Sequence, residues 1–242
     1  MELKIYKDHQ TLSDAAANEI IELIKIKPKA VICLASGETP KLTCQLLVKK
    51  ALKDKIDMSQ FTFIGLDEWV GISPSNEGSC FYFFQKELIE PLGFNNEQTH
   101  LFDALSNNLE EQCRKMDQLI FEKGGIDLMI VGIGMNGHIG FNEPGVSFDN
   151  YSHVIDLDET TVTVGQKYFK TATALQKGIT LGLKHLREAR KVLLLANGAK
   201  KAGVIKQTMK DNVTNKFPAS IMQTLPNGVV MVDKEAASLL NE

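Results

Sequence analysis

Short unbroken apolar runs recur along the whole chain, and most are followed at once by glycine, a hydroxyl residue or a carboxylate. Their length and their content of β-branched residues predict buried strands rather than helices. The predicted strands cover residues 3–6, 30–35, 61–66, 128–131, 191–196 and 228–232, with a weaker candidate at 153–157.

The segments between these runs show the apolar spacing of amphipathic helices. The first helix is predicted to begin at Thr11-Leu12-Ser13-Asp14 and to end before Pro28. Further helices are predicted at residues 40–52, 80–88, 108–122, 179–188, 199–209, 218–222 and 234–240. Strands that alternate with helices predict an α/β fold: a single domain over residues 1–242 with a doubly wound, largely parallel, modified Rossmann-like sheet and helices on both faces.

The segment from about residue 145 to residue 170 interrupts this alternation. It is polar and weakly patterned, and it directly follows the most glycine-rich loop of the chain. Segments of this kind often cover active sites, so we expect a lid over residues 145–170. A solvated excursion would have the same pattern.

The glycine-rich loop after residues 128–131 carries the first candidate chemistry. Its glycines allow a sharp turn and a close approach of the backbone to a ligand. Asn136, His138 and Glu143 follow in this loop, and ligands of open α/β sheets bind outside the carboxyl ends of the strands. An imidazole and a carboxylate there suggest acid–base catalysis. A structural turn with one exposed histidine and a capping glutamate explains this loop alone equally well.

A second loop, after the strand at 30–35, has the features of an anion site. Its sequence is Ser36-Gly37-Glu38-Thr39-Pro40, and a predicted helix follows directly. The unpaired N–H groups at the helix start, with the hydroxyls of Ser36 and Thr39, would hold a phosphate. It is not a Walker loop, because no Gly-Lys-Ser/Thr follows. We expect the Glu38 side chain to point away from the anion.

Charged residues follow two other predicted strands. Asp67 and Glu68 come directly after residues 61–66, and because successive side chains of an extended segment face opposite ways, only one of them can enter a site. An acidic pair on the surface is the alternative.

Lys200 and Lys201 begin the helix predicted after residues 191–196, where cations oppose the helix dipole. A bound anion would remove that conflict.

Composition narrows the class of protein. The 242 residues carry a net charge of −3, which gives no reason to expect nucleic acid or an anionic membrane as a partner. The four cysteines lack metal-ligand spacing, so we expect free thiols and no metal site. The N-terminus lacks a signal-peptide pattern, and no apolar run is long enough to span a membrane. We therefore expect a soluble cytoplasmic protein.

Three separated stretches together resemble one family, glucosamine-6-phosphate deaminase. They are LASGETP at 34–40, GLDEWVG at 65–71 and GIGMNGHIGFNEPG at 132–145. The resemblance covers essentially the whole chain in order, and the combination of all three is highly specific. It implies conversion of glucosamine 6-phosphate to fructose 6-phosphate and ammonia in amino-sugar catabolism. It also implies a small sugar phosphate as partner and no cofactor, and it leaves a monomer and a homo-oligomer both open.

The resemblance also implies roles for individual residues. Asp67 matches the residue that moves a proton between C1 and C2 of the opened sugar. His138 matches the residue that assists ring opening, and Glu143 the one that orients and charges that histidine. The residues implied to hold the phosphate are Ser36, Gly37, Thr39, Lys167 and Lys201.

The chain departs from the family pattern in three places. Asn136 stands where many members have aspartate, so the tuning of His138 is expected to rest on Glu143 alone. Lys167 stands where many members have arginine. The chain is also shorter at its C-terminus than the allosteric hexameric members, which argues against control by N-acetylglucosamine 6-phosphate.

Two rival functions use parts of the same pattern. A 6-phosphogluconolactonase would share the fold and the phosphate loop, but it would lack the carboxylate at Glu143. A non-catalytic phosphosugar-binding regulator would keep the phosphate loop and could lose Asp67 or His138. All three residues are present, which favours the deaminase.

Overall fold

A parallel sheet forms the centre of the protein in the computed structural model, which describes residues 1–240. Neighbouring strands of this seven-stranded sheet are all parallel, and three more strands form a separate antiparallel sheet. The strands are β1 (Glu2–Tyr6), β2 (Val31–Leu34), β3 (Thr62–Gly65), β4 (Asp67–Trp69), β5 (Thr99–His100), β6 (Leu128–Val131), β7 (His153–Asp156), β8 (Lys177–Thr180), β9 (Val192–Ala196) and β10 (Gly228–Asp233).

Helices connect these strands. The α-helices are α1 (His9–Ile26), α2 (Glu38–Asp54), α3 (Cys80–Phe84), α4 (Glu90–Leu92), α5 (Leu109–Glu122), α6 (Glu159–Gly165), α7 (Leu183–Glu188) and α8 (Ala202–Lys210). A π-helical turn, Gln85–Ile89, joins α3 to α4, and 3₁₀ turns cover Gln166–Tyr168, Ala199–Lys201 and Pro218–Thr224.

Strand β6 shows how the two faces of the sheet are covered. Leu128 and Ile130 point into the hydrophobic cluster that includes residues of α1 and α2. Met129 and Val131 point into the opposite cluster, with residues of α5 and α8. Strands buried on both faces are typical of parallel sheets with helices on each side. The prediction of a doubly wound, largely parallel α/β fold is therefore confirmed.

The small antiparallel sheet, in the order β4-β8-β7, was not predicted. The chain leaves the main sheet at Leu66, whose N–H donates to the carbonyl of Leu34 and whose carbonyl accepts from the N–H of Leu181. Asp67 is therefore the first residue of β4, paired with Thr180. It was predicted to come straight off the end of a main-sheet strand. The sequence between β3 and β4 contains no turn signal, so nothing in it indicates that the chain changes sheet.

Several helix predictions were wrong in detail. Helix α1 begins earlier than predicted, because Asp8 is the N-cap and forms a capping box with Thr11. The helix predicted over 179–188 is the end of β8 followed by the shorter α7, and turns replace the helix predicted over 234–240. The segment 145–170 contains β7 and α6, where only a strand and turns were predicted.

The strand order places one crevice at the carboxyl ends. Strand β2 lies between β6 and β3, so the chain runs outward from β2 to β3 and later returns to the other side of β2 with β6. Such a reversal between neighbouring strands opens a crevice, and ligands of open α/β sheets bind there. The loops that follow β2 and β6 are the two glycine-containing loops singled out from the sequence.

No helix within residues 1–240 combines the length and the apolar character that crossing a bilayer requires. This agrees with the absence of a long apolar run from the sequence.

A buried carboxylate just before β6 stabilises the sheet at the amino ends of its strands, opposite the crevice. The Asp127 side chain is 4% exposed and forms 2.8 Å ion pairs with Lys27 and Arg190. Its Oδ2 also accepts a hydrogen bond of 2.9 Å from the backbone N–H of Val31. Asp127 thus ties the beginnings of β2 and β6 together.

We expect Asp127→Ala to lower the free energy of unfolding by about 1–3 kcal/mol, because the buried N–H of Val31 loses its partner. The cations of Lys27 and Arg190 are half-exposed and regain water, which limits the loss. Urea unfolding followed by circular dichroism measures it. Asp54→Ala, an exposed position at the end of α2, is the matched control and should change stability by less than about 0.5 kcal/mol. Equal effects of the two substitutions would contradict the prediction.

Candidate active site

A cleft of about 360 Å³ lies at the carboxyl ends of the central strands. This volume is within the range of small-molecule sites. Its walls include every candidate site residue except Glu143, which lies behind His138 with 3% of its surface exposed. The structure thus brings together the separate loops that the sequence indicated. The residues from that set that line the cleft are Ser36, Gly37, Thr39, Asp67, Asn136, His138, Lys167 and Lys201.

One end of the cleft is the start of α2. Gly37 is the N-cap residue with φ of 116°, a backbone conformation that glycine adopts without strain. No side chain caps this helix, so its first N–H groups are available to an anion. The Thr39 hydroxyl instead donates to Oδ1 of Asn197 at 2.6 Å, and the Ser36 hydroxyl donates to Sγ of Cys80 at 3.1 Å.

Two lysines face this end of the cleft in different states. The ammonium of Lys201 donates to the carbonyl of Ile133 at 2.6 Å. Burial, together with the nearby charge of Lys167, lowers the pKa of Lys201 to about 8. Lys167 forms a 2.6 Å ion pair with Glu38. The Glu38 side chain is 73% exposed, as expected for a side chain pointing outward, but it occupies one of the two cations.

The position of Lys201 differs slightly from the prediction. It is the last residue of a 3₁₀ turn, and α8 begins at Ala202. Its neighbour Lys200 is exposed. Only one of these two consecutive lysines therefore reaches the cleft, because the turn directs the other outward.

Asp67 lines the cleft, whereas its neighbour Glu68 is buried and does not. The prediction that only one of the two carboxylates can enter the site is confirmed. Burial, aided by the charge of Glu68, raises the pKa of Asp67 to about 7, although the Cys80 thiol donates to its Oδ1 at 3.7 Å and opposes the rise. A carboxyl group that titrates near neutrality can both take and return a proton.

His138 also lines the cleft, in a turn that requires glycine at two positions. A Cβ on Gly134 would overlap the imidazole ring, and a Cβ on Gly137, where φ is 83°, would overlap the ring of Phe217. The His138 side chain is 20% exposed. Its Nδ1 lies 3.3 Å from Oε2 of Glu143.

The carboxylate of Glu143 is held ionised in spite of its position. Burial by itself would raise its pKa, but hydrogen bonds and charge from His138, with further hydrogen bonds from Thr161 and Asn136, lower the pKa below its ordinary value. A buried negative charge therefore stands directly behind the imidazole.

Asn136 does not leave Glu143 as the only charged group near the ring. The Asn136 amide donates to Oε2 of Glu143 at 2.9 Å and to Oδ1 of Asp158 at 3.3 Å. Asp158 is the N-cap of α6, and a hydrogen bond from Thr160 lowers its pKa, with the charge of His138 contributing. The expectation that the tuning rests on Glu143 alone stays a prediction, and the structure adds a second carboxylate, that of Asp158, which Asn136 links to this loop. The second carboxylate comes from a distant segment that no local pattern connects to this loop.

Three residues of the site were missed from the sequence: Cys80, Asp158 and Thr161. Cys80 begins α3 after the cap Ser79, and nothing in the sequence shows that this helix start meets Asp67. Asp158 could have been found, because Asp158-Glu159-Thr160 is a typical helix start. Thr161 is a buried hydroxyl in a helix too short to show a clear apolar face.

Metal coordination has no candidate among residues 1–240: they contain no cluster of three histidine, cysteine, aspartate or glutamate side chains with suitable geometry. All four cysteines are buried free thiols.

Comparison with known proteins identifies the family to which this fold and this cleft belong. The parallel sheet and the cleft at its carboxyl ends define an α/β protein with a site for a small molecule. The family model described as glucosamine-6-phosphate isomerases/6-phosphogluconolactonase matches residues 7–231. The chain belongs to this family.

Relatives within the family are similar over nearly the whole chain. The glucosamine-6-phosphate deaminase of Thermoanaerobacter pseudethanolicus is 39% identical over 241 residues, which cover 99% of this chain and 95% of that protein. The deaminase of Lachnoclostridium phytofermentans is 40% identical over 224 residues, with coverage of 92% and 95%.

Solved structures include members of both branches. A monomeric glucosamine-6-phosphate deaminase superimposes with a TM-score of 0.95 at 32% identity and covers 99% of this chain and 100% of its own. The 6-phosphogluconolactonase from Trypanosoma brucei superimposes with a TM-score of 0.78 at 20% identity, with coverage of 99% and 98%. The second likeness supports the fold alone.

The contact between Cys80 and Asp67 can be tested without an activity assay. Cys80→Ala removes the S–H donor, so we expect the pKa of Asp67 to rise above its value of about 7. Cys80→Ser keeps a donor and should leave the pKa lower than in the alanine variant. Titration of the carboxyl carbon by NMR measures it, with Asp67→Asn identifying the resonance. A fall of the pKa in Cys80→Ala would show instead that water enters the space left by the sulfur, and would contradict the prediction.

Proposed function

We propose that this protein is a glucosamine-6-phosphate deaminase, which converts glucosamine 6-phosphate and water into fructose 6-phosphate and ammonia in amino-sugar catabolism. The observation that carries the proposal is the shared cleft: Asp67 and His138 line it together with Lys201 and the free helix start at Gly37. Deaminase relatives at 39% and 40% identity support the same reaction.

His138 opens the sugar ring. An imidazole exchanges protons near neutrality, so it can take the proton of the C1 hydroxyl and give it to the ring oxygen. The ionised carboxylate of Glu143 behind Nδ1 favours the protonated ring during that transfer. The product is the open-chain aldehyde.

Asp67 then moves hydrogen from C2 to C1. It takes the C2 proton while the C1 oxygen takes a proton from the ammonium group of the substrate, and a neutral enolamine with a hydroxyl at C1 forms. Asp67 returns its proton at C1, which leaves an iminium at C2, and water replaces the iminium nitrogen, which leaves as ammonia. The raised pKa of Asp67, about 7, suits a carboxyl group that must both accept and donate. Proton transfers and addition of water account for every step, so the reaction itself calls for no cofactor.

The substrate phosphate binds where α2 begins. The free N–H groups of that helix, the ammonium of Lys201 and that of Lys167 supply positive charge. Phosphate binding to Lys167 competes with the Glu38 ion pair. The remote anion anchors the sugar, so that its C1 and C2 are held beside the base.

We infer that the lid expected over residues 145–170 is smaller than that range. Strand β7 pairs with β8 and is anchored. Residues 158–168, by contrast, carry pocket-lining side chains on α6 and the following turn and have no sheet partner. Their contacts with the phosphate loop are the Lys167–Glu38 ion pair and the Tyr168 hydroxyl beside Gly37. These residues are the part that opens for substrate.

The reaction takes place in the cytoplasm in this proposal. Four buried free thiols fit a reducing compartment.

Purified protein given glucosamine 6-phosphate should release ammonia and fructose 6-phosphate in equal amounts. Two coupled assays measure the products separately. 6-Phosphogluconolactone serves as the alternative substrate, and faster hydrolysis of that lactone would overturn the proposal. Substrate binding without either product would favour a phosphosugar-binding regulator.

Asp67→Asn should lower kcat by about two to four orders of magnitude, the usual worth of general acid–base catalysis. The amide cannot accept the C2 proton, yet it keeps the size of the side chain, so the dissociation constant of the substrate should change little. Steady-state kinetics and calorimetric titration with the substrate measure the two effects. Near-normal turnover in a folded variant would remove Asp67 from the proposed mechanism.

Lys201→Ala should mainly raise KM for the substrate, because contacts with a remote phosphate are largely equal in the ground and transition states. Lys200→Ala, at the exposed neighbouring position, is the matched control and should leave KM unchanged.

A second measurement on Lys201 is the pH profile of kcat/KM. It should fall above about pH 8 as Lys201 loses its proton, and Lys201→Arg should move that fall to higher pH. If the fall at alkaline pH is unchanged in Lys201→Arg, the group that loses its proton is the substrate amino group and not Lys201, which would contradict the prediction.

A further inference from the structure

A hydroxyl from α6 lies closer to the His138 ring than the carboxylate does. Oγ1 of Thr161 is 2.9 Å from Nδ1, whereas Oε2 of Glu143 is 3.3 Å from the same atom. Thr161 is 4% exposed, so this hydroxyl has no competing contact with bulk water. It lies near the Glu143 carboxylate as well and helps to keep the pKa of Glu143 low.

The donors and acceptors around Nδ1 select one protonation state of the ring. The Glu143 carboxylate accepts only, and its Oε2 lies within hydrogen-bond distance of Nδ1. The Thr161 hydroxyl is closer still and presents a lone pair to the same nitrogen. Nδ1 of His138 must then carry the hydrogen. Nε2 is left unprotonated on the side of the ring next to Gly134, at the cleft. This is the nitrogen that can take a proton from a bound sugar.

The place of Thr161 depends on α6 rather than on the loop of His138. The N-cap Asp158 fixes the start of this helix by accepting from the N–H of Thr160 at 2.8 Å. Asp158 also accepts from Asn136 at 3.3 Å, which ties the helix start to the loop of the histidine. One turn beyond the other end of α6, Lys167 contacts Glu38 of the phosphate loop.

We propose that Thr161 is a positioning residue for His138: its hydroxyl accepts the imidazole Nδ1–H beside Glu143 and, together with that carboxylate, fixes the reactive tautomer. The ring is competent only when α6 is docked against the cleft, so the segment that covers the substrate also completes the acid–base machinery. This inference rests on the proposed function for its catalytic meaning, whereas the tautomer itself is a property of the free protein.

The test compares Thr161→Val, which replaces the hydroxyl by a methyl group of similar size, with Thr161→Ser, which restores a hydroxyl. Thr163→Val, an exposed position on the same helix, is the matched control for helix propensity. We expect Thr161→Val to lower kcat by about tenfold to a hundredfold, the usual cost of a slightly misplaced catalytic group, with a much smaller change in KM. Serine should restore most of the loss, and Thr163→Val should have no effect.

Two further readouts separate positioning from a general structural role. In the protein labelled with ¹⁵N-histidine, His138 should have its proton on Nδ1, and a population protonated on Nε2 should appear in Thr161→Val. His138→Asn assigns the signals. Glu143→Gln should lower kcat, and adding Thr161→Val to it should cost less than Thr161→Val costs alone, because residues that act as one unit are not additive.

The two proposals fail in distinguishable ways. An inactive wild-type protein whose His138 tautomer still depends on Thr161 would overturn the proposed function and keep the positioning. An active enzyme in which Thr161→Val leaves both kcat and the tautomer unchanged would overturn the positioning role. Multiplicative losses in the double variant would do the same.

Discussion

The carboxylate of Glu68 accepts hydrogen bonds from the backbone N–H groups of Trp69, Cys80 and Phe81, and the position of Asp67 depends on them. Burial raises the pKa of Glu68, and these hydrogen bonds oppose the rise. A buried carboxylate needs such donors, and the start of α3 provides them. Once Glu68 is fixed inward, the alternation of the strand directs Asp67 into the cleft. Burial of Asp67, aided by the charge of its neighbour Glu68, then raises its pKa.

The cleft has two ends of opposite electrostatic character. At one end the start of α2 and two lysines provide positive charge, partly neutralised by Glu38. At the other end the carboxylate of Glu143 lies behind an imidazole, and that of Asp158 accepts a hydrogen bond from Asn136. A sugar phosphate is a molecule with one anionic end and a reactive carbon at the other, so this polarity would orient it before any chemistry begins. Helix α6 and the turn after it span the distance between the two ends.

Much of this arrangement was predictable from local patterns. Continuous apolar runs such as 128–131 predicted buried parallel strands, because only strands covered on both faces tolerate them. The loops after two of these runs carried Ser36, Gly37, Asn136 and His138, and the rule that carboxyl ends of parallel strands share one edge was enough to bring these loops together. Local sequence was misleading at Asp67, where the chain changes sheet, since a strand looks the same in either sheet. It was also misleading at Ile179, where the end of β8 was predicted as helix, and over 234–240, where turns replace a predicted helix.

The sequence alone therefore determined the α/β class, the two ligand loops, and that one carboxylate of the Asp67-Glu68 pair had to face away from the site. Only the tertiary structure decided which side chains contact the acid–base residues. The thiol of Cys80 beside Asp67 and the hydroxyl of Thr161 beside His138 bring together residues 13 and 23 positions apart in the chain. Their effect depends on burial and on distances of a few ångströms. Such distances arise when helices dock onto the sheet, and no periodicity along the chain encodes them.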